Sequence, residues 1–223
     1  MAKKRSVHLL KVAIGVLLMP MCWAGFQALG LVFANSRGMD VVWVPLIAGV
    51  ICWGAIYWLM PEPIWVYVLG HEFTHALWAW LFGGQVKKIK VTSKGGHVVV
   101  SKTNFLITLA PYFFPFYAVI AAFGYWLGNQ IWGWRAYEAV FLVVLGATYA
   151  FHATMTISVL RVRQPDIVQE GWLFSAAVIV LGNLTVLLLS VPLLAGGPVF
   201  KGLALWARGT VEIWRWLLSV PYR

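Results

Sequence analysis

The sequence is poor in charge. Asp, Glu, Lys and Arg make up 11% of its 223 residues, where a soluble domain carries about 25%. With 61% of the residues hydrophobic, that scarcity excludes an ordinary water-soluble globule. Cysteine is scarce too: Cys22 and Cys52 are the only two, both inside apolar runs, which excludes a disulfide framework and a CxxC metal knuckle. Seven acidic residues face 17 basic ones, a formal charge of +10. In a soluble chain that excess would point toward nucleic acid. Here Lys and Arg cluster between apolar runs and Trp and Tyr gather near the ends of those runs, the pattern of cationic flanks and aromatic belts at a bilayer surface. The partner this implies is the lipid bilayer, not nucleic acid.

What the chain does have is long apolar stretches. The first runs from about Leu9 to Ala34 behind Lys3, Lys4 and Arg5. Its length exceeds the h-region of a signal peptide and reaches the roughly 20 residues that span a bilayer, so it reads as an uncleaved anchor. Five more runs follow, Val41–Met60, Ile64–Phe82, Asn104–Leu127, Ala136–Leu160 and Trp172–Ala195, each near the length of a spanning helix. The expected fold is therefore an all-α polytopic membrane protein of about six transmembrane helices, one integral membrane domain over residues 1–223. The tail Phe200–Ser219 sets Lys201, Arg208, Glu212 and Arg215 among leucines and tryptophans and suits a C-terminal helix lying in the interface. Lys and Arg counted over the loops of a six-span chain come to nine on one side and eight on the other, so the positive-inside rule selects no orientation.

One segment is not helical in pattern. Gly83–Thr92 and His97–Ser101, joined around Lys94-Gly95-Gly96, are rich in Val, Ile and Lys, with a glycine pair able to turn at positive φ. This predicts a short β-hairpin.

The chemistry lies in the third run, at His71-Glu72-Phe73-Thr74-His75, an HExxH. On a helix the two histidines, four apart, share a face and can bind one zinc ion, while Glu72 lies beside them to accept a proton from metal-activated water. Random order of this composition would produce the pentapeptide in roughly one sequence in several hundred. An ionisable group at mid-membrane depth costs about 2.5–3.5 kcal/mol on insertion scales and persists where it has a partner or a function.

A catalytic zinc normally takes three protein ligands and water, and two residues compete for the third place. His152 lies eight residues before Leu160 and His75 lies seven before Phe82. Both ends fall on the same side of the membrane in a six-span chain, so both histidines are expected roughly 10–12 Å below that surface. His152 equally suits a packed histidine or a donor behind the ligands. Asp166, in Arg163-Gln164-Pro165-Asp166-Ile167, follows the same helix and would reach the metal if the chain folds back toward the membrane.

HEFTHAL in an apolar helix, then a glycine pair and basic hairpin, then Leu109-Ala110-Pro111-Tyr112-Phe113-Phe114-Pro115, then an aspartate after the next helix, resembles the site-2 protease family of intramembrane zinc metalloproteases. The likeness covers about residues 64–195, without a PDZ-like insertion. It implies that His71 and His75 bind zinc, that Glu72 is the catalytic base, that Asp166 is the third ligand, and that the hairpin helps to hold a membrane protein substrate. The family's aspartate usually stands in an asparagine- and proline-containing stretch ending Leu-Asp-Gly, whereas this chain has Gln164-Pro165-Asp166-Ile167-Val168. The expected setting is a multi-pass protein of a bacterial inner membrane.

The rival class is a non-proteolytic membrane protein, either a metal-handling transporter or an inactive protease-like scaffold. A transporter carries ionisable groups along its helices. Outside the HEFTH run, Glu138 and His152 are the clear intramembrane candidates here, which favours an enzyme with one local site.

Overall fold

The computed structural model describes residues 2–36, 40–92 and 95–219, with side-chain surroundings from residue 6 onward. In chain order the elements are α1 (Ala2–Asn35), α2 (Asp40–Leu59), α3 (Ile64–Leu81), β1 (Val86–Thr92), β2 (Gly95–Val100), α4 (Phe105–Leu109), α5 (Phe116–Trp132), α6 (Glu138–Leu160), α7 (Pro165–Glu170), α8 (Trp172–Leu194) and α9 (Lys201–Ser219). Single 3-10 turns at Ala110–Tyr112 and Trp134–Tyr137 precede α5 and α6. The chain divides into two compact units, residues 1–39 with 165–223 and residues 40–164.

In the first unit α1, α8 and α9 pack together. Gly15 of α1 lies against the backbone of Leu173 and Phe174, Gly25 lies against Leu184, and Cys22 Sγ is 3.9 Å from the Ala177 carbonyl oxygen. Residue numbers rise together along both helices, so α1 and α8 run parallel. Lys11 and Glu170 form a 2.6 Å ion pair in the same unit. The tail helix α9 is more than an interfacial rod: Gly202 is seated on the α8 backbone at Leu188, and Trp206 Nε1 donates to the Met21 carbonyl at 2.8 Å, midway along α1.

In the second unit α2 and α6 meet backbone to backbone. A Cβ on Gly49 would collide with the Val143 carbonyl and one on Gly146 with the Leu46 carbonyl, a small-residue contact of the kind that lets membrane helices approach closely. Further along, Trp53 Nε1 donates to Thr154 Oγ1 at 2.8 Å, so α2 and α6 also run parallel. Trp53, Tyr67, Ala150, Phe151 and Met155 form the buried core here.

These directions correct the expected six spans. Among the described residues four helices are long and apolar enough to cross a membrane, or five if α4 and α5, bent by 80° at their break, make one span. Six successive crossings would leave α1 antiparallel to α8 and α2 antiparallel to α6. Both pairs run parallel, so the stretch from α3 through α5 supplies one crossing, not two. The run Asn104–Leu127 is itself broken by Pro111 and Pro115, because proline withholds a helix donor. Asn104 caps α4 by accepting from the Ile107 N–H at 2.9 Å, as short polar side chains do at helix starts. Gly133, at φ +69°, ends α5.

The expected hairpin is present, with β1 and β2 antiparallel and Thr92 paired with Gly95, Lys90 with His97 and Lys88 with Val99. Lys94 of its turn lies outside the described residues.

Candidate metal centre and active site

Helix α3 starts after Pro61-Glu62-Pro63, where two prolines end α2 and admit only a tight break. It stops at a glycine pair: Gly83 takes φ +70° and the Gly84 N–H bonds the Ala79 carbonyl at 2.8 Å, the left-handed ending that reverses a chain after a helix. The hairpin that follows is closed at its base by Ser101 N–H to the Gln85 carbonyl, 2.9 Å, and it folds back along the C-terminal half of α3. The start of β2 reaches the HExxH. A Cβ on Gly96 would stand 2.7 Å from Glu72 Cγ, 2.9 Å from Glu72 Oε1 and 2.9 Å from the Lys90 carbonyl oxygen. Glycine is required there because the strand backbone rests on the glutamate side chain, which is buried at 6% exposure. We expect Gly96→Val to push the Glu72 carboxylate aside and lower turnover about 10²-fold, the cost of a misplacement of about 1 Å, while metal content stays normal. Metal analysis beside an activity assay checks this.

One turn apart on α3, the His71 and His75 rings bring their Nε2 atoms to 3.2 Å. Two nitrogens bound to one tetrahedral zinc at about 2.0–2.1 Å lie about 3.3 Å apart, so the pair fits the ion. The second nitrogen of His75 fixes the arrangement. His75 Nδ1 is 2.8 Å from the Ile107 carbonyl, and because a carbonyl only accepts, Nδ1 carries the proton and Nε2 keeps its lone pair for a metal, the usual outer-shell support of a ligating histidine. Ile107 has this carbonyl to spare for a legible reason. In a helix its partner would be the N–H of residue 111, and residue 111 is proline. We expect Pro111→Ala to restore that competing donor and weaken zinc binding about 10–100-fold, measurable by competition with a chromophoric chelator. His71 packs edge-on against Tyr112, ring centroids 5.2 Å apart.

His152 lies in the same unit, on α6, but at a level other than the one depth matching gives. Tyr67 hydroxyl is 3.3 Å from Thr156 Oγ1, Ser158 Oγ donates to Glu62 at 2.9 Å, and His71 and His152 line one recess. Numbers fall along α6 as they rise along α3, so these helices are antiparallel where they meet and His152 stands opposite His71. The pairing of His152 with His75 at a common depth is therefore corrected: it assumed that α3 and α6 end on the same side. Asp166 occupies the first turn of the short helix α7, which belongs to the other compact unit. Proline is favoured at that helix's first position, where its missing N–H has no partner to lose.

Sequence reading missed three participants: Gly96, seen only as a turn former, Ile107, which acts through its backbone, and Tyr112. The proline at residue 111 was the one available signal for Ile107.

Two facing imidazoles with a buried carboxylate beside them, on a helix among apolar helices, are a donor set able to hold a metal ion beside a base in a membrane protein. A family model described as Peptidase M50B-like matches residues 42–185, well over half of the chain. The chain belongs to this family, within the site-2 proteases. No curated protein and no solved structure matches it.

Proposed function

We propose that this protein is an intramembrane zinc metallopeptidase that hydrolyses peptide bonds of membrane-embedded or membrane-adjacent proteins. The observation that carries the reading is the His71–His75 pair, Nε2 to Nε2 at 3.2 Å, with the His75 tautomer held by the Ile107 carbonyl. His71 and His75 would hold the zinc together with Asp166, which stands two residues beyond Gln164, the last residue of the unit carrying the histidines. When bound, zinc supplies Lewis acidity and a water whose pKa falls toward about 7.

The chain's own residues supply the rest. Glu72 accepts the proton of the attacking water and delivers it to the leaving amine, so that the new C–O bond and the broken C–N bond are balanced by one proton moved. Its burial against the hairpin keeps the carboxylate aimed and excludes bulk water. A substrate helix must first unwind, since its carbonyls are taken by its own hydrogen bonds, and the side of β2 that pairs with no strand among the described residues offers it one to join. The register says which groups are offered. A two-residue loop makes Thr92–Gly95 a hydrogen-bonded pair, so by alternation Val99 bonds inward to Lys88 while the N–H groups of Gly96 and Val98 point off the edge. Val98→Pro is expected to raise KM about 3- to 10-fold, the worth of about 1 kcal/mol for one hydrogen bond, with zinc retained. The decisive test of the whole reading is zinc content of the purified protein together with cleavage of membrane substrates by wild type and by Glu72→Gln. A protein that binds zinc yet cleaves nothing would be a metal-holding scaffold.

A further inference from the structure

Resting on the peptidase reading above, we propose that His152 is a catalytic residue of this site: its imidazole donates a hydrogen bond to the carbonyl oxygen of the scissile peptide and stabilises the negative charge that oxygen gains. Three observations converge. His152 is 93% buried, at 7% exposure. Its Nε2 is buried with no hydrogen-bond partner among the described residues, although an orphaned buried polar atom costs about 1–3 kcal/mol. And it lines, with Tyr67, His71, Thr74, Tyr117 and Phe151, a small recess that opens beside His71.

The placement suits the chemistry. Successive positions on a helix are about 100° apart, and α3 uses this to separate two sides of the site. Glu72 faces the hairpin at Gly96, whereas Tyr67, Gly70, His71 and Thr74, one turn after another, face the recess with His152. The base that takes the water's proton therefore stands on one side of His71 and the unpartnered imidazole nitrogen of His152 on the other. Attack from the Glu72 side comes nearly perpendicular to the C=O bond, and the oxygen that gains charge is, as proposed, directed toward the recess. A donor fixed there in apolar surroundings, Phe151 and Tyr117 among them, needs no reorganisation as the charge develops. His152 keeps its proton throughout. The proton count of the hydrolysis remains that of water, Glu72 and the leaving amine.

The test uses the full chain in nanodiscs, with fluorescent casein and a lysine-flanked transmembrane peptide as probes. His152→Phe and His152→Gln are compared for bound zinc, for kcat and KM, and for affinity toward a peptide phosphonate that mimics the tetrahedral charged state. His152→Phe should keep one zinc per chain and a KM within about threefold, and lose about 10²–10³-fold in kcat. Phosphonate affinity should fall in step, while binding of the uncleaved peptide, measured in a Glu72→Gln background, stays constant. His152→Gln, which retains a donor, should recover a large part of both losses. Loss of zinc in His152→Phe would make His152 a ligand and overturn the proposal, as would an unchanged kcat, or a kcat that falls while phosphonate affinity does not. A wild type that neither binds zinc nor cleaves either probe sinks the peptidase reading itself. An active wild type with indifferent His152 variants sinks only this inference.

Discussion

Replacing Glu72 with glutamine should leave zinc in place and cut peptide cleavage by about 10²–10⁴-fold, the contribution of a positioned general base. The two side chains have nearly one shape, so the amide fits the space beneath Gly96 that the carboxylate now fills. Fold and metal site are thereby held constant. What changes is proton affinity: an amide cannot take a proton from water and return it to an amine. Both imidazoles continue to face each other, and the His75 bond to the Ile107 carbonyl does not involve residue 72. Metal analysis and a cleavage assay on the same preparation check the result, and cleavage at the wild-type rate would remove Glu72 from its role. The contrast with Gly96→Val is informative because that variant keeps the carboxylate and moves it, whereas Glu72→Gln keeps the position and removes the base.

Much of the site was legible because its chemistry is local. His71, Glu72 and His75 lie within one turn and a half, and helical spacing alone puts the two imidazoles on a common face. The hairpin was legible from β-branched residues around a glycine pair, and the apolar runs located the helices to within a few residues. Direction was not legible. Hydropathy is the same for a helix read up or down, so the sequence could not tell that α3 meets α6 head to tail, and the His75–His152 depth match failed on that account. Nor does hydropathy separate a spanning helix from a bent pair: Asn104–Leu127 reads as one run, while Pro111 and Pro115 break it at 80°. That bend has a chemical use, since the carbonyl freed by Pro111 is the one that orients His75. The hairpin's fold-back onto Glu72 depends on the turn at Gly83 and Gly84, whose residue types announce a helix end but not the angle at which the chain departs.

Removing either imidazole should empty the site. A zinc held by His71, His75 and Asp166 loses a third of its protein donors in His71→Ala or His75→Ala, and affinity should drop by more than the about 10–100-fold that loss of an outer-shell partner costs. His75→Ala carries a second penalty, because the Ile107 carbonyl loses the Nδ1–H that now satisfies it at 2.8 Å, and an unpaired buried acceptor costs about 1–3 kcal/mol. His71→Ala should therefore fold more readily than His75→Ala although both lose metal. Thermal unfolding with and without added zinc reads this directly: a ligand that binds only the folded state raises its stability by mass action, so zinc should shift the wild-type midpoint upward and leave both variants unmoved. The same titration ranks the third ligand. Asp166→Ala should abolish the zinc-dependent shift, whereas His152→Ala should keep it, because the proposed partner of His152 is the substrate carbonyl. The reverse order, with His152→Ala unresponsive to zinc and Asp166→Ala still responsive, would make the centre a three-histidine site and return Asp166 to an ordinary first-turn carboxylate of α7. A normal zinc shift in His71→Ala or His75→Ala would end the ligand assignment altogether.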